Sequence, residues 1–169
     1  MIIGIISDTH ENMAAIDKAV EIFNLKKVEL VFHAGDIISP ITFSHFDKLN
    51  CPIHLVFGNN DGEKQMLKEK YSKRGSIIQN PPLEYELDED NKKIKFIIFH
   101  APPQNIEDLA KSGEYDYIIY GHTHKKDLRT VAKTTIINPG EAGGWLFGEK
   151  TVAILDTKTK NVEFINLYM

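Results

Sequence analysis

Three short apolar runs mark the first third of the chain, at residues 2–7, 28–34 and 53–57, each rich in Ile and Val and each ending at polar or glycine residues. Continuous runs of this length predict strands covered on both faces. Between the first two, Ile16, Ala19, Val20 and Phe23 recur at helical spacing while Asp17, Lys18 and Glu21 take the other face, which predicts an amphipathic helix over 12–26. Helices are also predicted at 41–48 and 63–71. Alternation of strand and helix implies right-handed crossovers and a parallel or mixed sheet, so the fold class is α/β.

The pattern then changes. Apolar stretches at 83–87 and 94–99 flank the turn-forming residues Asp88, Glu89, Asp90 and Asn91 and predict a hairpin. A helix is predicted over 106–111, stopped by Gly113, followed by strands at 117–120, 134–137, 151–156 and 162–167. The chain shows no repeat, low-complexity tract or linker, and a single domain over residues 1–169 is expected.

The 26% charged and 42% hydrophobic content is ordinary for a folded chain and excludes collagen-like, coiled-coil and wholly disordered classes. The net charge of −4 argues against nucleic-acid binding over the whole surface. The one cysteine, Cys51, forms no internal disulfide or thiolate-rich metal site and reads as a small core residue. The opening MIIGIISDTH lacks a basic leader segment, and no apolar run approaches the roughly 18 residues of a membrane span. A cytoplasmic location without membrane partners is expected.

Chemistry gathers where strands end. The first runs into Asp8-Thr9-His10, the second into Gly35-Asp36, the third into Gly58-Asn59-Asn60-Asp61. The strand over 94–99 ends at His100, and that over 117–120 ends in Gly121-His122-Thr123-His124. Ligands in open α/β sheets bind at this edge, and short Asp, Asn and His side chains on rigid strand ends can converge on metal ions. Asp8, His10, Asp36, Asn59, His100, His122 and His124 supply enough donors for two ions. Glycines 35, 58 and 121 are expected to permit sharp turns.

Together, DTH, GD, GNND, a strand-end His and GHTH resemble the calcineurin-like metallophosphoesterases, and the length resembles their small single-domain bacterial and archaeal phosphodiesterases. Asn138-Pro139-Gly140 is similar to the closing loop of those enzymes. The resemblance implies a four-layer α/β/β/α sandwich. It implies that Asp8, His10 and His124 hold a first metal, that Asn59, His100 and His122 hold a second, and that Asp36 bridges them. The implied reaction is hydrolysis of a small phosphate ester, a diester before a monoester, by hydroxide bridging two divalent ions. Without thiolates the site suits Mn²⁺, named first, or Ni²⁺, Fe²⁺, Co²⁺ or Zn²⁺. A phosphomonoesterase, or a non-catalytic scaffold retaining the fold, are the alternatives.

Two departures stand out. The family usually has His where this chain has Asn60, which can contact a phosphoryl oxygen but cannot deliver a proton, so good leaving groups should be preferred. His100 follows Phe99 rather than the usual Gly-His arrangement. Around the motifs, His33 reads as a support for a ligand or as a structural histidine, and His45 and His54 as surface or core-edge residues with no function assigned. Asp61 reads equally as an orienting residue or a cap, Asn138 as a loop-shaping residue, Glu141 as a ligand support. Lys125, Lys126 and Arg129 form a solvated charge run able to attract an anion. Trp145-Leu146-Phe147 reads as strand core before lid or homodimer contact.

Overall fold

The computed structural model describes residues 1–168. The chain runs β1 (Ile2–Ile6), α1 (Met13–Leu25), β2 (Leu30–His33), α2 (Phe43–Phe46), β3 (Ile53–Val56), α3 (Lys64–Ser72) and β4 (Ile78–Gln79). It continues as β5 (Leu83–Glu89), β6 (Lys92–Ile98), α4 (Ile106–Ser112), β7 (Tyr117–Ile119), β8 (Lys126–Val131), β9 (Thr134–Pro139), β10 (Thr151–Asp156) and β11 (Asn161–Asn166).

The strands form two sheets, ordered β11-β10-β1-β2-β3-β4 and β5-β6-β7-β9-β8. In the first, β1 to β4 run parallel and the β10–β11 pair closes one side antiparallel. In the second, β6, β7 and β9 run parallel, with β5 and β8 antiparallel at the edges. Each sheet therefore has a parallel centre, whose strands all end on one edge.

The period-2 alternation of the strands sorts their side chains into separate cores. Ile6, Val31 and Ile53 pack under Ile16, Ala19 and Phe23 of α1 and Phe46 and Leu67 of the neighbouring helices. Ile3, Ile5, Leu30 and Phe32 turn to the other side, where they meet Phe96, Ile98, Tyr117 and Ile119 between the sheets. Ile97, Ile118 and Ile136 of the second sheet pack against Ile106 and Ala110 of α4. The two sheets are thus flanked by helices, which matches the expected α/β class. Cys51 is buried in the first of these cores.

Several elements follow the local signals. Asn12 caps α1 by accepting the Ala15 N–H at 3.2 Å, and Gly113, at φ 66°, ends α4. Others depart. The helix predicted over 41–48 is a 3₁₀ turn at Pro40–Thr42 and the four residues of α2. Strands β4 and β8 carry no apolar alternation; β8 exists because its largely exposed sequence pairs along β9 over six residues. The Trp145-Leu146-Phe147 triplet is no core strand: it lies in the loop between β9 and β10 with all three side chains exposed, at 64%, 67% and 54%. Among the described residues no helix is long and apolar enough to cross a membrane.

Candidate metal centre

The parallel centres of both sheets deliver their C-terminal ends to one place. Asp8 and His10 follow β1, Asp36 follows β2, Asn59 and Asn60 follow β3, His100 follows β6, His122 and His124 follow β7. Backbone bonds lock these ends together: Asp8 N–H donates to Gly35 O at 3.0 Å, His10 N–H to Asp36 O at 3.1 Å, and Gly121 N–H to His100 O at 2.9 Å.

Five candidate ligands take left-handed backbone angles: Asp8 at φ 51°, His10 at 42°, Asp36 at 59°, His122 at 63° and His124 at 59°. Such conformations cost about 1–3 kcal/mol each for non-glycine residues and persist only where the surrounding structure over-determines them. The chain bends sharply at each strand end, and the ligands themselves carry the bend. Of the three motif glycines only Gly35 has a positive φ, of 97°. Gly58 and Gly121 serve close approach: a Cβ at Gly58 would overlap the Asp36 carboxylate, and one at Gly121 would overlap Ser7 Oγ and Asp8 Oδ2.

Asp8, Asp36 and His100 are buried, His10 and His124 partly so. Asp36 Oδ2 lies 3.5 Å from both His10 Nε2 and His100 Nε2, at the middle of the set. Asp8 Oδ1 lies 3.4 Å from His124 Nε2 and 3.9 Å from His10 Nε2. Ligand atoms of Asp8, His10 and His124 all fall within 4.8 Å of one another, as do those of Asp8, Asp36 and His100. The sequence-predicted residues Asn59 and His122 join through hydrogen-bond geometry: Asn59 Oδ1 is 2.8 Å from His100 Nε2 and 3.0 Å from His122 Nδ1. All seven expected ligands are therefore brought together.

The donor set fits a cation. Asp8 Oδ1 and His10 Nε2 are buried without a hydrogen-bond partner among the described residues, which is costly unless a ligand satisfies them. His100 Nδ1 donates to Ala34 O at 2.8 Å and His124 Nδ1 donates to Glu141 Oε2 at 2.8 Å. With Nδ1 given to these acceptors, Nε2 of each ring is the atom that faces an oxygen, Asn59 Oδ1 or Asp8 Oδ1, and a cation shared between them satisfies both. Burial is the largest influence on Asp8 and pushes its carboxyl up, against the Ser7 hydroxyl, the nearby His100 and His124 and the His122 N–H, which lower it. A bound cation would remove that penalty.

Around this centre a supporting layer holds the ligands in place. Glu141, fully enclosed, accepts from His124 and from the backbone N–H groups of Trp145, Leu146 and Phe147 at 2.7–2.9 Å. Burial opposes its charge, but those donors hold its carboxyl below the usual range. Asp61 accepts the N–H groups of Asp36, Ile38 and Gly58, which makes it an orienting residue rather than a helix cap. Asn60 donates its side-chain amide to Asp36 Oδ2 at 2.7 Å and its backbone N–H to Oδ1 at 2.9 Å.

His33 accepts the Gly35 N–H at Nδ1, so Nε2 donates to Thr9 Oγ1 at 3.2 Å, and the Thr9 hydroxyl reaches Asp36 O at 3.4 Å. Complete burial pushes the His33 pKa down to about 3, so it supports the site as a neutral ring. Asn138 donates to Gly121 O at 2.9 Å and accepts the Gly140 N–H, shaping the loop that carries His122 and His124. Ser7, whose hydroxyl donates to Asp8 Oδ2 at 2.6 Å, had no signal in the sequence beyond adjacency. His54 accepts the Ile77 N–H and is structural.

Comparison with known proteins agrees with this architecture. A family model for the calcineurin-like phosphoesterase superfamily domain matches residues 1–160. The chain is 44% identical over 170 residues to a phosphodiesterase of Methanocaldococcus jannaschii, covering 99% of each. A solved archaeal phosphodiesterase superposes with a TM-score of 0.88 at 42% identity, over 98% of this chain and 99% of that one. Vps29 of Entamoeba histolytica complexed with Zn²⁺ shares the fold alone, with a TM-score of 0.67 and 16% identity over 99% of both chains. By its sequence, its two facing sheets and the residues at their common edge, the chain belongs to the calcineurin-like phosphoesterase superfamily.

Proposed function

We propose that the protein is a divalent-metal-dependent phosphodiesterase using two ions. The observation that carries this reading is Asp36 Oδ2, 3.5 Å from an imidazole nitrogen of each half of the ligand set, with Asp8 Oδ1 and His10 Nε2 beside it lacking a hydrogen-bond partner among the described residues. Asp8, His10 and His124 would hold one ion, Asn59, His100 and His122 the other, and Asp36 both. Mn²⁺ is the first choice, with Ni²⁺, Fe²⁺, Co²⁺ or Zn²⁺ as alternatives compatible with N and O donors. Bound there, the ions would supply Lewis acidity towards the phosphoryl oxygens and a nucleophile at neutral pH.

The protein's own part is placement. Asp61 and Asn60 fix both oxygens and the backbone of Asp36, Glu141 fixes the ring of His124, and Ala34 O fixes that of His100. Exposed at the rim, Asn60 can hydrogen-bond a phosphoryl oxygen but has no proton to give a departing alcohol. Esters whose leaving group departs unassisted are therefore favoured, and a diester needs one charge fewer accommodated than a monoester.

The test is hydrolysis of bis-p-nitrophenyl phosphate against p-nitrophenyl phosphate after chelation and re-addition of Mn²⁺, Ni²⁺, Zn²⁺ or Mg²⁺. Metal-restored cleavage, faster on the diester, is expected, with Asp36→Ala losing both metal and activity. Faster monoester cleavage would make the protein a phosphatase, and full activity in Asp36→Ala would overturn the ligand assignment.

A further inference from the structure

Beside His124 lies a cavity of about 240 Å³, lined by His124, Lys125, Lys126, Phe147, Glu149 and Thr151. Its apolar wall is the ring of Phe147, from the exposed triplet. In the same lining Lys126 and Glu149 form an ion pair at 2.8 Å. Over the Phe147 ring stands Lys125 Nζ, 5.3 Å from the centroid and without an ion pair among the described residues.

The triplet is exposed but not loose. Three consecutive backbone N–H groups are spent on the Glu141 carboxylate, and the Trp145 indole N–H reaches His10 O at 3.3 Å. A fastened loop that keeps apolar side chains in water beside a ligand cluster is a feature of binding grooves. The cavity shares His124 with the candidate metal centre, so a group held there would adjoin the ligand set.

From this geometry we infer that the cavity beside His124 is a subsite for an aromatic arm of the phosphate ester, with Phe147, whose ring already attracts the Lys125 ammonium, as stacking surface. The inference rests on the phosphodiesterase reading for the phosphate that anchors the ligand. An aliphatic arm of one or two carbons would leave the Phe147 ring without a stacking partner, whereas a planar ring gains one.

The experiment is calorimetric titration of the Mn²⁺-loaded protein with phenylphosphonate and methylphosphonate, at a pH where both are dianions; neither has an ester bond to hydrolyse. The wild type should bind the phenyl compound about tenfold more tightly or better. Phe147→Ala, at a side chain 54% exposed and so safe for folding, should bring the two affinities within about twofold while methylphosphonate binding stays unchanged. Emission from Trp145, the sole tryptophan, gives a parallel reading at the same loop.

Equal affinities in the wild type, or a preference that survives Phe147→Ala, would overturn the subsite. So would a flat ratio together with a dimer that Phe147→Ala converts to monomer, since a second copy would then be the occupant. Cleavage of bis-p-nitrophenyl phosphate separates the two readings: turnover without phenyl preference removes the subsite alone, and phenyl preference without turnover removes the catalytic reading alone.

Discussion

Glu141 offers a sharp test of how the site is held. Its carboxylate lies outside the ligand set, yet it carries one bond to His124 Nδ1 and three to the loop that bears Trp145, Leu146 and Phe147. In Glu141→Ala the His124 ring loses the acceptor that selects its tautomer, so Nε2 is no longer committed to the lone-pair form facing Asp8. Loss of such a partner costs about 10–100-fold in metal affinity, or roughly 1.4–2.7 kcal/mol. The three loop hydrogen bonds are only part-buried, so folding stability should fall by only about 1–3 kcal/mol.

The assay is Mn²⁺ affinity by competition with a chelator, paired with diester turnover at rising Mn²⁺. Weakened binding, with turnover largely recovered at saturating metal, is expected. Glu141→Gln should fall between, because its amide must turn a donor either to His124 or to the loop. A folded Glu141→Ala protein with unchanged Mn²⁺ affinity would refute the idea that this carboxylate orients His124.

Gly58→Ala should lower thermal stability by about 1–3 kcal/mol and abolish metal retention, since its Cβ would overlap the Asp36 carboxylate. Gly62→Ala, whose nearest neighbour is 3.7 Å away, is the control and should behave as wild type. His33 has a folded pKa of about 3 against an ordinary 6.5, so between those values the unfolded chain binds the extra proton and stability falls as pH falls, by about 1.4 kcal/mol per unit at the steepest. Urea titrations of the chelator-treated protein from pH 7 to 4 should show that slope, and His33→Asn should flatten it; equal slopes would count against the assignment. Asn60→His should raise turnover up to about 100-fold on diesters with poor leaving groups and little on p-nitrophenyl esters. A uniform change across a leaving-group series would show that proton delivery is not what Asn60 lacks.

Much of the architecture was legible because the dominant energy is local in pattern. The Ile-rich run of β1, the α1 stripe of Ile16, Ala19, Val20 and Phe23, and the β5–β6 hairpin each state their partner face in their own periodicity. The elements that escaped have no such pattern: β8 is ordered by the hydrogen bonds of β9, and β4 by those of β3. Trp145, Leu146 and Phe147 misled in the opposite direction. Apolar composition predicted burial, but Glu141, reached through the fold, pins their backbone at the surface.

By itself the sequence determined which residues can bind metal and that each stands at a strand end, because Asp, Asn and His donors after apolar runs are local facts. It also determined the family, through motifs whose spacing spans the chain. Only the tertiary structure decided which donors face each other, that Asp36 sits between His10 and His100, and that Asp61 and Glu141 hold the ligands from beneath. Those relations join residues up to 116 positions apart, as Asp8 and His124 are, so they come into being only when the parallel strands of two mixed sheets bring their ends to one edge.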